Sequence, residues 1–378
     1  MKIVLVIDQF DDANNGTTIS ARRFAQALKA HGNEVRVIAT GKPADYKYAV
    51  RQMRFFPIVE HLITSQGMRL AIPNKHVFEK AAAWADVVHF MMPSPLAVMG
   101  LKHVEKLGIP HTAAFHCQPE NITFTLHMGN SRRVNDLVYN KFRDTFFNRF
   151  THIHCPSNMI ANQLRSHGYT AQLHVISNGI SPEYAYGKRP KETWMEGYFN
   201  ILMVGRYAGE KRQDVLIEAA ARSRHAREIQ VILPGKGPLE KKYRRLAEKL
   251  PNPAIMGFYE PQRLIELLHM ADLYVHTADA EIEAMSCMEA FACGLVPVIA
   301  ESPRSATPQF ALDGRSLFPA GDSEALAQRI DWWIEHPAQR QEMELRYAEH
   351  AKQYSLERSI EQTEEMFRQA IREQGGKK

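Results

Sequence analysis

The stretch Glu281-Ile282-Glu283-Ala284-Met285-Ser286-Cys287-Met288-Glu289, followed at once by AFACG (290–294) and the apolar run LVPVIA (295–300), decides how the chain is read. Two carboxylates, Glu281 and Glu289, stand eight positions apart. On one continuous helix they would be offset by about 80° around its axis. The flanking residues suggest another arrangement. Residues 273–276 read as a buried strand, 277–280 as the loop leaving it, and the helix starts near Met285. Glu281 then sits on a loop tip and Glu289 in the first helical turns. Both can face a cleft at the carboxyl end of a parallel strand, where α/β proteins bind ligands. Such a pair suits a polyhydroxylated ligand gripped at two places.

The same alternation extends in both directions. Apolar runs at 2–7, 34–38, 87–90, 111–115, 152–155 and 172–176 are separated by helical-period segments near 18–31, 74–85, 97–107, 133–150 and 158–167. Strands spaced by helices make βαβ units and a parallel sheet. Residues 182–197 (PEYAYGKRPKETWMEG) are polar and aperiodic, and are expected to form a linker. The pattern then restarts, with strands at 200–204, 230–233, 254–256, 273–276, 296–300 and 316–318. The tail from 355 to 374 has an amphipathic period, with Leu356, Ile360, Thr363, Phe367, Ala370 and Ile371 on one face. The expected architecture is α/β: two Rossmann-like doubly wound domains facing a cleft, residues 1–187 and 188–354. A helix at 355–378 is expected to return to the first.

A chain of 378 residues suits two domains, and 45% apolar content is enough for two cores. Net charge is +5 but unevenly placed. Residues 1–187 hold 20 Lys+Arg against 13 Asp+Glu, whereas 188–378 hold 27 against 29. Only the first half therefore favours an anionic partner. The four cysteines, Cys117, Cys155, Cys287 and Cys293, form no CxxC pair, which argues against a disulfide framework and a zinc site. The opening MKIVLVIDQF reads as a buried strand, not a signal peptide, and no run of eighteen apolar residues occurs. A cytoplasmic protein is the expectation.

Several strand ends carry residues suited to a nucleotide. Gly205-Arg206 and Glu210-Lys211 follow the strand at 200–204, and an Arg and a Lys five apart can converge on one diphosphate. Two solvated cations are the plainer reading. Gly235-Lys236-Gly237 follows the next strand; its glycines suit either close ligand approach or an ordinary tight turn. Gly257-Phe258 ends a third, where the aromatic could wall a base or simply pack.

Taken in order, Gly205-Arg206, Glu210-Lys211, Gly235-Lys236-Gly237, Gly257-Phe258 and the E-x7-E pair Glu281/Glu289 resemble the retaining glycosyltransferases of family 4. These have the glycosyltransferase B architecture. Asn178-Gly179-Ile180 and the returning helix also fit, so the resemblance covers essentially the full chain. It implies that Arg206 and Lys211 hold the donor diphosphate, that Glu289 accepts the ribose hydroxyls and that Glu281 contacts the donor sugar. It further implies that Gly16 lies against the diphosphate, although the Gly-Gly pair common there is reduced to Asn15-Gly16. His116, ending the strand at 111–115, matches the histidine facing the sugar; a structural histidine is the alternative. No metal and no cofactor beyond a UDP-sugar donor is implied, the leaving phosphate taking the acceptor's proton on the same face. Neither Asp8 nor Glu120 is singled out by spacing as a nucleophile.

The family's acceptor domain is the basic half here. Helix 133–150 carries Val134, Val138, Phe142, Phe146 and Phe150 at i+4 spacing, flanked by Arg132, Arg133, Lys141, Arg143 and Arg149. The stretch 46–73 likewise mixes basic and apolar residues. Both suit an anionic bilayer surface, a core helix with a charged outer face being the alternative for 133–150. Nucleic acid is not expected. Ile282 and Ala284, where many relatives have Gly, and SPRSATPQFA (302–311) are most similar to bacterial diacylglycerol glucosyltransferases. The resemblance therefore implies transfer of a hexose, glucose, from a UDP-sugar to a membrane lipid at the inner face of the plasma membrane. A soluble sugar acceptor is the alternative within the class; a UDP-sugar epimerase and a silent sugar-nucleotide binding protein are those outside it.

Overall fold

The computed structural model describes residues 1–11, 16–56, 60, 64, 68–125 and 128–375. The chain divides into two compact units. The first is Met1–Asn178 completed by Leu356–Lys378, and the second is Gly179–Ser355. Each is built on its own parallel sheet.

In the first unit the strands are β1 (Lys2–Val6), β2 (Glu34–Thr40), β3 (Lys47–Val50), β4 (Val87–Phe90), β5 (His111–Ala114), β6 (His152–Cys155) and β7 (Gln172–Val175), in the order β3-β2-β1-β4-β5-β6-β7. β1 is parallel to both neighbours, Val4 lying opposite Arg36 on one side and Val88 on the other. Its residues Ile3 to Val6 are fully or almost fully buried, as a strand covered on both faces requires. Helix Leu356–Gly375 returns to this unit, and its Ile360, Met366 and Phe367 join Leu5, Phe24, Leu28 and Val37 in one cluster. Each such fully buried side chain stabilises the unit by about 1.5–3 kcal/mol.

The second unit carries β8 (Phe199–Leu202), β9 (Ile229–Pro234), β10 (Ile255–Gly257), β11 (Leu273–His276), β12 (Ala280–Glu281), β13 (Pro297–Glu301), β14 (Arg304–Ser305) and β15 (Leu317–Pro319). The main sheet runs β10-β9-β8-β11-β13-β15, while β12 and β14 pair in parallel beside it. Tyr274, Phe291, Trp333 and Tyr347 fill the core.

The structure alters three expectations. The division falls at 178/179 instead of 187/188, and 182–197 is no free linker, because Tyr184 and Met195 are buried in the second core. Part of the stretch 46–73 is sheet: β3 pairs with β2, and Gln52 bridges Ala71. Residues 57–59, 61–63 and 65–67 of that stretch lie outside the described residues. Finally, helix 133–150 is Arg132–Thr145 followed by a tight turn at Phe147–Arg149. Phe146 leaves helical geometry at φ −140° and ψ −64°, which breaks the i+4 register and sends Phe146, Phe147 and Phe150 inward. Phe146 packs edge-on against Phe147 and Phe150, and Phe146 and Phe150 also meet Phe90.

Candidate active site

In the second sheet the chain order reverses between β8 and β11, which are neighbours: β9 and β10 lie to one side, β13 and β15 to the other. A reversal of this kind opens a crevice outside the carboxyl ends of the two strands. Arg206 and Lys211 follow β8, and Glu281 follows β11. The structure brings Lys211 and Glu281 together across the reversal, the Lys211 Nζ donating to Glu281 Oε1.

The loop that carries Lys211 is fixed by its neighbours. The Thr277 hydroxyl lies 2.8 Å and 2.7 Å from the Lys211 and Arg212 carbonyls. Asp279 donates its amide to the Glu210 carbonyl at 2.7 Å, and Gln213 Nε2 donates to the Arg206 carbonyl at 2.9 Å. Arg206 Nη2 is paired with the buried Glu210 at 2.6 Å. Both cations are thus held on rigid backbone at one strand end. They are not a pair of freely solvated charges.

Glu281 does not sit on a loop tip. It lies in β12, where its carbonyl accepts from Ala306 N at 2.8 Å, and only 9% of it is exposed. His276 Nε2 lies 3.3 Å from the same Oε1 that Lys211 binds. Burial pushes the Glu281 carboxyl up, but the Lys211 ammonium and then His276 outweigh it and hold it at about 2. Among the described residues its side-chain contacts fall on Oε1. Glu289 lies in the helix Met285–Ala292 with 7% exposure. That helix is preceded by Ala284 at φ 63°, a left-handed conformation that suits glycine.

The glycine loop has a packing explanation. A Cβ on Gly235 would lie 2.0 Å from the Gly205 carbonyl oxygen, and one on Gly237 would lie 2.5 Å from that of Tyr207. Loop-on-loop contact is by itself enough to demand these glycines; Gly257 is under no such constraint. Phe258 is 62% exposed at the end of β10, with the Lys236 ammonium 4.5 Å from its ring centroid. The aromatic is therefore a surface wall beside the glycine loop rather than a core residue.

In the first unit the chain order reverses between β1 and β4. Gly16 opens the helix Gly16–Ala30 that follows β1, residues 12–15 lying outside the described ones. Asp8 accepts from Ala71 N at 2.8 Å and from Ser94, which follows β4. Burial pushes its carboxyl up to about 6 against these bonds. His116 lies two residues past β5, 8% exposed, its ring 5.1 Å from His154 and perpendicular to it. Burial, then His154 and His89, keep its pKa well below the usual imidazole range, so His116 is neutral at physiological pH.

The basic helix separates into two sets. Arg132, Arg133, Leu137 and Lys141 are exposed, Leu137 at 68%. Phe146 is a core residue and cannot face an acceptor or membrane, and Phe142 is half-buried. Arg143 is engaged by the His167 carbonyl at 2.6 Å, by Asn140 and by Asp144, so its guanidinium serves the fold. Sequence reasoning passed over His276 and Asp279, and had no reason to choose Asp8. The available signal for His276 was a titratable residue ending an otherwise apolar strand, Leu273-Tyr274-Val275-His276.

Among the described residues no group of three His, Cys, Asp or Glu is placed to hold a metal ion, and no helix is long and apolar enough to cross a membrane. Residues 187–354 match the glycosyl transferases group 1 family, and residues 14–184 match glycosyltransferase family 4. A GDP-mannose-dependent alpha-mannosyltransferase of Corynebacterium glutamicum is 27% identical over 353 residues, 89% of this chain and 81% of that protein. The sucrose-phosphate synthase of Thermosynechococcus elongatus has a TM-score of 0.77 at 16% identity, covering 97% of this chain and 98% of that one. The catalytic domain of the cholesterol-alpha-glucosyltransferase of Helicobacter pylori is 50% identical, covering 42% of this chain and 99% of that one, with a TM-score of 0.41.

Proposed function

The chain belongs to the glycosyl transferases of group 1, with a family 4 N-terminal half and the glycosyltransferase B fold, and from that premise we propose that it moves glucose, with retention, from UDP-glucose to a membrane lipid such as diacylglycerol. The observation that carries the donor half is the cluster at the β8/β11 reversal. There Arg206 and Lys211 sit on fixed backbone beside Glu281, and Glu289 lies on the next helix.

Two cations offset the charge that develops on a departing diphosphate, the role a divalent ion would otherwise take. Glu289 receives both ribose hydroxyls, as one carboxylate can. Glu281 Oε2 positions the sugar by a hydrogen bond. The anomeric C–O bond to phosphate breaks, and the acceptor oxygen bonds to that carbon on the same face. The acceptor's proton passes to the leaving phosphate oxygen. No protein group needs to carry it, and positioning supplies most of the acceleration. The lipid half of the reading rests on the exposed Arg132, Arg133, Leu137 and Lys141, a basic and apolar helix face suited to the anionic inner face of the plasma membrane.

The test incubates the enzyme with UDP-glucose, UDP-galactose or GDP-mannose, and with vesicles containing diacylglycerol, a sterol or no acceptor, in EDTA. Glucose in an organic-phase product only from UDP-glucose is the expected result. Transfer from GDP-mannose would replace the donor, and is included because the Corynebacterium relative is named for that donor. Product confined to the aqueous phase would replace the lipid acceptor, and a strict metal requirement would remove the cationic role of Arg206 and Lys211.

A further inference from the structure

Both roles given to the β8/β11 crevice depend on where one carboxylate points. Each carboxylate oxygen offers two lone pairs. On Glu281, Oε1 meets Lys211 Nζ and His276 Nε2 together, while the carbonyl of the same residue is tied to Ala306. His276 is the last residue of β11 and 1% exposed, its ring stacked on Tyr274 with centroids 6.2 Å apart. Neither ring nitrogen has a partner at hydrogen-bond geometry among the described residues, and Nε2 faces Glu281 Oε1 across 3.3 Å. The Nε2 contact is within 3.3 Å but off hydrogen-bond alignment, and poorly aligned contacts at such sites tighten when substrate arrives.

Carboxylate torsions are broad and roughly two-fold, so one cation alone does not fix the plane of a glutamate. A second donor on the same oxygen, carried by a buried strand, does. We propose that His276 is a positioning residue for glycosyl transfer, locking Glu281 so that Oε1 holds the Lys211 ammonium at the leaving diphosphate and Oε2 faces the donor sugar. The inference rests on the glycosyltransferase reading above, and deepens it by assigning a residue that touches neither donor nor acceptor. Without the imidazole, Glu281 rotates and Lys211 follows it, and displacements on the order of 1 Å cost roughly 100-fold in rate. Donor affinity changes little, because nucleotide binding runs mainly through groups that His276 does not touch.

Two variants separate positioning from packing. His276→Leu removes the donor, whereas His276→Gln places an amide N–H where Nε2 stood. The expected result is a kcat lowered about 10–100-fold in His276→Leu with KM for the sugar nucleotide within about 3-fold, and recovery to within about 3-fold of wild type in His276→Gln. A second readout needs no substrate. The Lys211–Glu281 coupling, from Lys211→Met and Glu281→Gln in denaturant unfolding, should fall to about half or less in the His276→Leu background and persist with His276→Gln. Unchanged coupling and unchanged kcat in His276→Leu overturn the inference. Equal loss in both variants, accompanied by a lowered melting temperature, overturns it in favour of packing. An enzyme that transfers from no sugar nucleotide tried overturns the functional reading instead, and the coupling measurement still judges His276.

Discussion

Replacing Lys211 by Met should damage the second unit in two separable ways. The side chain keeps its length but loses the ammonium, leaving Glu281 buried beside His276 alone. The Glu281 carboxyl is held at about 2, against 4.5 for the free residue. At about 1.4 kcal/mol per pKa unit, that depression corresponds to roughly 3 kcal/mol of stability. A depressed carboxylate contributes this above its unfolded pKa and loses it as pH falls through its folded one. The contribution is therefore complete above about pH 5 and vanishes towards pH 2. Breaking a buried pair typically costs about 3–5 kcal/mol, and the partial exposure of Lys211 puts the expectation at the lower end. Urea unfolding at pH 7 should show Lys211→Met destabilised by about 3 kcal/mol. Adding Glu281→Gln should return most of that loss by removing the stranded charge. Activity should behave differently. Lys211→Met is expected to lower kcat about 100–1000-fold, and the double variant to recover none of it. A single variant destabilised by less than about 1 kcal/mol would mean the pair is merely a surface contact in solution. Activity regained along with stability in the double variant would refute a direct role for the ammonium.

The buried Asp8 carboxyl, raised to about 6, contributes stability that is fully present below about pH 4 and is lost as pH rises through 6. Asp8→Asn should therefore raise unfolding free energy by up to about 3 kcal/mol at pH 8 and change it little at pH 4; equal effects at both would contradict the burial argument. Ala284 holds φ 63° just before helix Met285–Ala292, so Ala284→Gly should stabilise the unit by about 1 kcal/mol in a thermal scan. A lowered melting temperature would show that the methyl's packing outweighs the strain. Changing Arg132, Arg133 and Lys141 to Ser should weaken binding to phosphatidylglycerol vesicles by roughly 100-fold, near 1 kcal/mol per charge, with the loss shrinking in high salt. Undiminished vesicle binding would remove the membrane role of that helix face.

How much of this was legible beforehand depended on range. The alternation of short, mostly apolar runs with helical segments placed β4, β6 and β11 to the residue, all three being buried along their whole length. The helix start at Met285 was readable for a similar reason. Phe146 was misread because i+4 spacing looks identical whether a helix continues or breaks, and only tertiary packing of Phe146, Phe147 and Phe150 decided the break. Glu281 was placed on a loop because a two-residue strand has no period; its pairing with Arg304–Ser305 is non-local. Gly235 and Gly237 could not be assigned from sequence, since their reason is a carbonyl from another loop. The Lys211–Glu281 contact was likewise invisible, although its two members were each singled out.

The return of helix Leu356–Gly375 to the first unit has a consequence for synthesis on the ribosome. The apolar face of Ile3, Leu5, Phe24 and Val37 emerges early, but the helix that covers it is made only after the whole of Gly179–Ser355. At 5–20 residues per second that interval is roughly 10–35 s. The second unit, continuous in the chain, finishes folding while the first still waits with an uncovered face, so order of completion inverts order of emergence. Ribosome-bound chains in which a tunnel-filling linker replaces the last helix after residue 355 would reveal this as protease sensitivity of the first unit alone. During that interval the nascent protein is a client for whatever shields apolar surface in the cell, and the last helix ends that dependence.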